Sequence, residues 1–197
     1  MAKDDELLDM LRDAGALRDG HFLLSSGRHS DRYIEKFDLL RRPQDASRAC
    51  GLIAERFRDA DIDVVVGPTP GGVILAFDVA RQLGVDAAYA ERASESGTAR
   101  EFRRGTTFQP GNRVLVVDDI LTTGGSVRET LAALATHPVS VAGVAVLVDR
   151  SGGDAEVGAP IEALATLAVT TWAAGDCPLC EAGEPLTKPG TTPAKST

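Results

Sequence analysis

Residues 114–126 read VLVVDDILTTGGS, and no other stretch of this chain narrows the fold so far. Val114, Leu115, Val116 and Val117 form an unbroken apolar run, the pattern of a strand buried on both faces in a parallel sheet covered by helices. Two carboxylates follow, and then small hydroxyl and glycine residues open the next helix. Glycines and short hydroxyls let backbone N–H groups wrap a phosphate, and the helix start adds its positive end, giving an anion site without a lysine. Asp118 and Asp119 would repel a phosphate at their own position, which suits them to accept hydrogen bonds from sugar hydroxyls. The combination fits a ribose 5-phosphate. The chain has no Gly-x-x-x-x-Gly-Lys-Ser/Thr and no Gly-x-Gly-x-x-Gly after a strand, which disfavours an ordinary nucleotide triphosphatase or dehydrogenase.

The surrounding sequence keeps the same rhythm. Residues 4–14 and 43–59 have helical spacing, with Pro43 at the start of the second helix. A strand over 63–66 leads through a Gly/Pro turn, 67–72, into a helix over 73–83. Further strands are expected near 86–90, 113–117 and 140–148, with a helix over 127–135. The fold class is therefore α/β, an open and mostly parallel sheet flanked by helices, in which ligands bind beyond the carboxyl ends of the strands. Both Gly-rich turns lie at such ends. Between residues 20 and 38, short apolar pieces separated by polar residues suggest a small N-terminal hairpin or a surface loop. Residues 94–107 are polar and arginine-rich and are expected to be mobile without ligand.

Composition limits the function classes. The formal charge of −8 opposes a general nucleic-acid binder, and no apolar run approaches the roughly 20 residues of a membrane span. No signal segment opens the sequence, so the expectation is a cytoplasmic protein with one domain over 1–184. That domain would comprise a hood mainly over 1–40 and a core of about 41–172, followed by a flexible tail over 185–197. Of three cysteines, Cys177 and Cys180 form a Cys-x-x-Cys pair, half of a zinc-ligand set. No second pair and no histidine nearby in sequence completes it, and a plain turn is the expected reading. No residue is assigned directly to a metal.

The thirteen residues 114–126 resemble the signature of type I phosphoribosyltransferases, which replace the pyrophosphate of 5-phosphoribosyl 1-pyrophosphate (PRPP) with a nitrogen base. The resemblance implies that Asp118 and Asp119 hold the ribose hydroxyls. Ile120, Leu121, Thr122, Thr123, Gly124, Gly125 and Ser126 would complete the PRPP site, with Thr122 to Ser126 cradling the 5′-phosphate. The turn of Thr69, Pro70, Gly71 and Gly72 matches the position of that family's pyrophosphate loop.

Two further segments are similar to orotate phosphoribosyltransferases. Residues 25–33, SSGRHSDRY, resemble a hood segment over the base and implicate Ser26 and Tyr33. LVDR at 147–150 ends a strand where that family sets an arginine, here Arg150, on the orotate carboxylate, which a guanidinium binds through a paired fork. Thr122 falls where the family contacts orotate. The family implies Mg²⁺ brought mainly by PRPP, and a homodimer in which a loop residue, here Arg92, reaches the partner's pyrophosphate. Asp118, Asp119 and Arg92 are the expected catalytic residues. The loop carries Arg92, Arg100, Arg103 and Arg104 where orotate enzymes commonly have lysine and histidine, and the pyrophosphate turn has Gly71 where many have lysine. A phosphoribosyltransferase for a purine or another base, and a non-catalytic PRPP-sensing regulator, are the alternatives.

Overall fold

The computed structural model describes residues 3–24, 26–94 and 97–189. Its centre is a six-stranded sheet in the order β5-β4-β3-β6-β7-β8, formed by β3 (Val64–Pro68), β4 (Asp86–Arg92), β5 (Arg100–Glu101), β6 (Arg113–Leu121), β7 (Ser140–Asp149) and β8 (Ile161–Thr166). All neighbours are parallel except β5, which turns back antiparallel on β4 through Glu91–Glu101 and Arg92–Arg100. The mostly parallel α/β sheet expected from the apolar runs is thus the observed one.

The period of two along each strand sends alternate residues to two helix layers. On one face Val65, Leu115, Val117 and Leu147 pack against α1 (Lys3–Asp13), α2 (Lys36–Leu40), α3 (Pro43–Arg56) and α4 (Gly71–Leu83), through Leu7, Leu11, Leu39, Ile53 and Leu75. On the other face Val64, Val66, Val114, Val116, Val144 and Val146 meet Val127 and Leu134 of α5 (Gly125–Leu134) and Phe108. β6 therefore lies between two cores, and its end is the place where the first residues beyond them emerge.

A second, antiparallel sheet forms the hood. It consists of β1 (Leu17–Leu23), β2 (His29–Ile34) and β9 (Thr171–Trp172), in the order β1-β2-β9. The hood draws on both ends of the chain, because the hairpin from the N-terminal part accepts β9 from beyond the core. α1, placed with the hood by position in sequence, instead buries Leu7 and Leu11 in the main core. β8, β9, α2 and the single turn of α6 (Pro178–Glu181) are elements whose short lengths left no clear period in the sequence.

Three expectations change. The loop over 94–107 contains β5, because Arg100 is buried and anchors the return strand. The segment from Pro185, expected as a loose tail, runs back to β1: Leu23 N–H donates to Thr187 O and Thr187 N–H to His21 O, each at 2.8 Å. The rest of that tail, 190–197, lies outside the described residues. Finally, the expectation that no histidine joins Cys177 and Cys180 fails, because the β1–β2 hairpin brings His21 and His29 beside them.

Leu115 is fully buried at the centre of β6. Leu115→Ala should lower unfolding free energy by about 2–5 kcal/mol, the range for leucine cavities in packed cores. A fall in the urea midpoint with an unchanged slope would show this, and a loss under about 1 kcal/mol would contradict the sheet-centre placement.

Candidate active site

Where β6 leaves the two cores, Asp118 and Asp119 are both buried, at 6% and 2% exposure. Burial of adjacent carboxylates demands partners, and each has them. Asp118 accepts from Ser126 Oγ at 2.7 Å and from Asp119 N–H at 2.9 Å. Asp119 Oδ1 accepts from Ile120 N–H at 2.7 Å and from Lys36 Nζ at 2.9 Å. The Lys36 ammonium also stands 2.9 Å from Asp119 Oδ2, yet that oxygen accepts no hydrogen bond among the described residues. Desolvation, followed by the charge of Asp119, pushes the Asp118 carboxyl up to about 6, against the pull of Ser126, the Asp119 amide and Lys36.

Lys36 is the residue that the sequence reading missed. It opens α2, directly after the hood, and is the one lysine between Lys3 and Lys188. That isolation was the available signal. Its contact with Asp119 spans 83 positions and cannot be read from local pattern.

Beyond the carboxylates, Gly124 caps α5 at φ 77°, a left-handed conformation that favours glycine. Thr122 and Thr123 are exposed ahead of it, and Ser126 lies in the first turn of the helix. Arg128 Nη1 donates to Thr123 O at 2.7 Å and Glu156 O at 3.1 Å, pinning the turn from behind. Leu121 turns its side chain into the core and leaves its backbone at the site. The result is a run of small residues at a helix start, beside two carboxylates, as a phosphate nest requires.

The second turn, residues 69–72, crosses the same end of the sheet. A Cβ on Gly71 would fall 1.8 Å from Asp119 Oδ2, so any side chain at this position requires Asp119 to shift. Arg100 holds this turn: its Nη1 donates to Thr69 O, Thr69 Oγ1 and Ala90 O at 3.1–3.4 Å, and its Nε pairs with Glu129 at 3.2 Å. Arg100 thus faces inward. Arg92 remains exposed at the end of β4, with Nη1 3.2 Å from Gly97 O, away from the buried carboxylates' own partners.

Between hood and core is a cavity of about 620 Å³ lined by Ser26, Tyr33, Thr122, Thr123, Arg150 and Thr171, among others. All four residues expected at the base, Ser26, Tyr33, Thr122 and Arg150, meet there. Arg150 follows β7, its backbone tied to Leu121 O at 2.8 Å, and its Nε is buried without a hydrogen-bond partner among the described residues. Desolvation lowers its pKa, while Tyr33 opposes this. A buried guanidinium nitrogen without a partner carries an unmet demand for a hydrogen-bond acceptor. Ser25 lies outside the described residues.

A phosphoribosyl transferase domain model matches residues 38–175. An orotate phosphoribosyltransferase of Pelotomaculum thermopropionicum is 46% identical over 94% of this chain and 96% of its own length. The chain belongs to the orotate phosphoribosyltransferase family. A second relative of that name, from Caldicellulosiruptor bescii, is 44% identical over the same shares of both chains. Among solved structures, the orotate phosphoribosyltransferase of Aeropyrum pernix superposes with a TM-score of 0.66 at 31% identity, covering 82% of this chain and 93% of its own. That of Mycobacterium tuberculosis with inorganic phosphate gives 0.68 at 28%, covering 84% and 96%. Adenine phosphoribosyltransferases at 15–20% identity share the fold. Membership agrees with the family expected from residues 114–126.

Because the Asp118 carboxyl titrates near 6 when folded and near 3.8 when unfolded, the folded state holds its proton longer. Stability should therefore fall as pH rises from about 4 to about 6 and stay lowered above that, by up to about 3 kcal/mol from this group. Urea unfolding across pH 4–8 should show that decline in the wild type and its loss in Asp118→Asn. Lys36→Met should move it to higher pH.

Proposed function

We propose that the chain transfers the 5-phosphoribosyl group of PRPP to orotate, giving orotidine 5′-monophosphate and pyrophosphate, a step of pyrimidine nucleotide synthesis. The observation that carries this reading is Arg150, which lines a cavity with Ser26, Tyr33 and Thr122 and whose Nε is buried with no hydrogen-bond partner among the described residues. Orotate has a carboxylate to offer it, whereas purines and uracil do not.

The C1–oxygen bond to pyrophosphate breaks with its electron pair going to the leaving group, the ring nitrogen of orotate gives its electron pair to C1, and the proton that nitrogen carried is released to pyrophosphate or water. The site must hold the sugar, neutralise the leaving group and exclude water; no covalent nucleophile is needed. Asp118 and Asp119 accept from the ribose 2′- and 3′-hydroxyls. Thr122, Thr123, Gly124, Gly125 and Ser126 enclose the 5′-phosphate at the start of α5. Thr69, Pro70, Gly71 and Gly72 present backbone to the pyrophosphate. Two buried carboxylates gather at this end of the sheet and would hold a divalent cation, beside the Lys36 ammonium that stands 2.9 Å from Asp119 Oδ2. Bound with PRPP, Mg²⁺ would supply charge neutralisation for the leaving group, and Asp118 and Asp119 are the residues that would hold it.

The working unit is a homodimer in which Arg92 reaches across to the partner's pyrophosphate. Its exposed position at the tip of β4 supports this, as does an apolar hollow of about 440 Å³ lined by Leu40, Pro43, Val73, Ile74 and Phe77, with Phe77 66% exposed. Among the described residues no helix is long and apolar enough to cross a membrane, in keeping with small-molecule substrates met in water.

With PRPP and Mg²⁺, orotate should be consumed while adenine, guanine, hypoxanthine, xanthine and uracil are untouched. Arg150→Ala should raise the KM for orotate at least tenfold with less effect on that for PRPP, as loss of a charge-assisted pair requires. Turnover of a purine, or an orotate KM indifferent to Arg150, defeats the base assignment. The shared-loop reading has its own check. Arg92→Ala and Asp119→Asn chains, each inactive alone, should regain about a quarter of wild-type activity when allowed to exchange subunits, because half the dimers then hold one intact site. No recovery in verified hybrids would place Arg92 in its own subunit's chemistry.

A further inference from the structure

The hood contains a second constellation that the phosphoribosyl site does not use. His21 in β1, His29 in β2, and Cys177 and Cys180 around the start of α6 place one ligand atom each within 4.8 Å of one another. His21 Nε2 lies 2.9 Å from His29 Nδ1, Cys177 Sγ lies 3.5 Å from His21 Nε2, and Cys180 Sγ lies 3.3 Å from His29 Nδ1 and 3.8 Å from His21 Nε2. A tetrahedron with metal–nitrogen bonds of about 2.0–2.1 Å and metal–sulfur bonds of about 2.3 Å has edges of roughly 3.3–3.8 Å. The cluster needs only small side-chain shifts to reach it.

Burial and tautomer point the same way. His21, His29 and Cys177 are 4%, 5% and 1% exposed, and both cysteines are free thiols. His21 Nδ1 lies 2.9 Å from the Glu184 carbonyl, which cannot donate, so that nitrogen carries the proton and Nε2 turns its lone pair into the cluster. A ring nitrogen fixed by a backbone carbonyl is the usual outer partner of a metal-bound histidine. Two histidines and two cysteines, closed on four sides with no acidic ligand, suit zinc in a structural role.

We propose that His21, His29, Cys177 and Cys180 form a structural zinc site that fastens the end of the chain to the hood. Its consequence reaches the base cavity, because the turn between the two histidines carries Ser26, and Leu23, Leu24, Thr171 and Pro189 line the same cavity. The metal therefore sets the shape of the base pocket without touching the base, and makes the four ligands positioning residues.

Metal analysis of the full chain, purified anaerobically without chelator, should find about one zinc per chain. Replacement by Co²⁺ should give the visible bands of a tetrahedral site together with thiolate-to-cobalt charge transfer. In Cys177→Ser/Cys180→Ser both signals should vanish, and the orotate KM should rise severalfold with a smaller change in kcat. His29→Ala should lose the metal in the same way while keeping both thiols. Wild-type chain that retains neither Zn²⁺ nor Co²⁺ after gel filtration overturns the site, as does an anaerobic Cys177–Cys180 disulfide that Zn²⁺ with a thiol reductant does not replace. Metal content is read without any turnover, so failure of the orotate reading and failure of the zinc site are told apart.

Discussion

Two ionisable carboxylates side by side at the end of a fully apolar strand set the terms for everything around them. β6 is held in place by burial on both faces, so Asp118 and Asp119 cannot retreat to water without pulling leucine and valine out of two cores. Their charge is met where it stands, by Ser126 from the following helix, by backbone amides and by Lys36 from the element that follows the hood. The phosphate nest, the glycine at position 71 and the approach of α2 are geometrical answers to that one electrostatic demand. Lys36 ties the start of α2, the element that follows the hairpin, to the end of β6.

The parts of the molecule that were legible in the sequence are those whose logic is local. Residues 114–126 hold strand, acids, turn and helix start in one run, and their periodicity and residue chemistry announce both the sheet and the site. Arg150 was legible because a charged residue ending an apolar strand has few structural reasons to be there. Lys36, Arg100 and the His21–His29–Cys177–Cys180 cluster were not, since each acquires its meaning from a segment 31 to 159 positions away. The four ligand residues lack conventional zinc spacing as a set; only folding the hairpin against the chain's far end reveals it. β8 and β9 were lost for another reason: six and two residues are too few for a period to stand out.

The arginine-rich stretch after β4 shows how residue type underdetermines role. Arg100, Arg103 and Arg104 share a loop, yet Arg100 is spent on the Thr69 turn, while Arg103 pairs with Glu101 and Arg104 with Glu91. These pairs shape the β4–β5 return and leave Arg92, which donates only to the Gly97 carbonyl among the described residues, as the least braced guanidinium of the four. The planar fork that makes arginine a good phosphate partner also makes it a good brace for backbone carbonyls, which is the use Arg100 makes of it.

The hood is built from opposite ends of the polypeptide. β1 and β2 are made first, the core from Pro43 to Thr166 follows, and only then do β9 and Thr187 arrive to pair with strands translated more than a hundred residues earlier. During synthesis the sheet can close while the hairpin still lacks its outer partners, so the end of the sheet that carries Asp118 and Asp119 is assembled before the cavity beside Tyr33 and Arg150 is complete. The parallel sheet is thus complete before the segment from Cys177 to Pro189 can pair with β1, so the part of the cavity wall that Pro189 contributes is the last to be set.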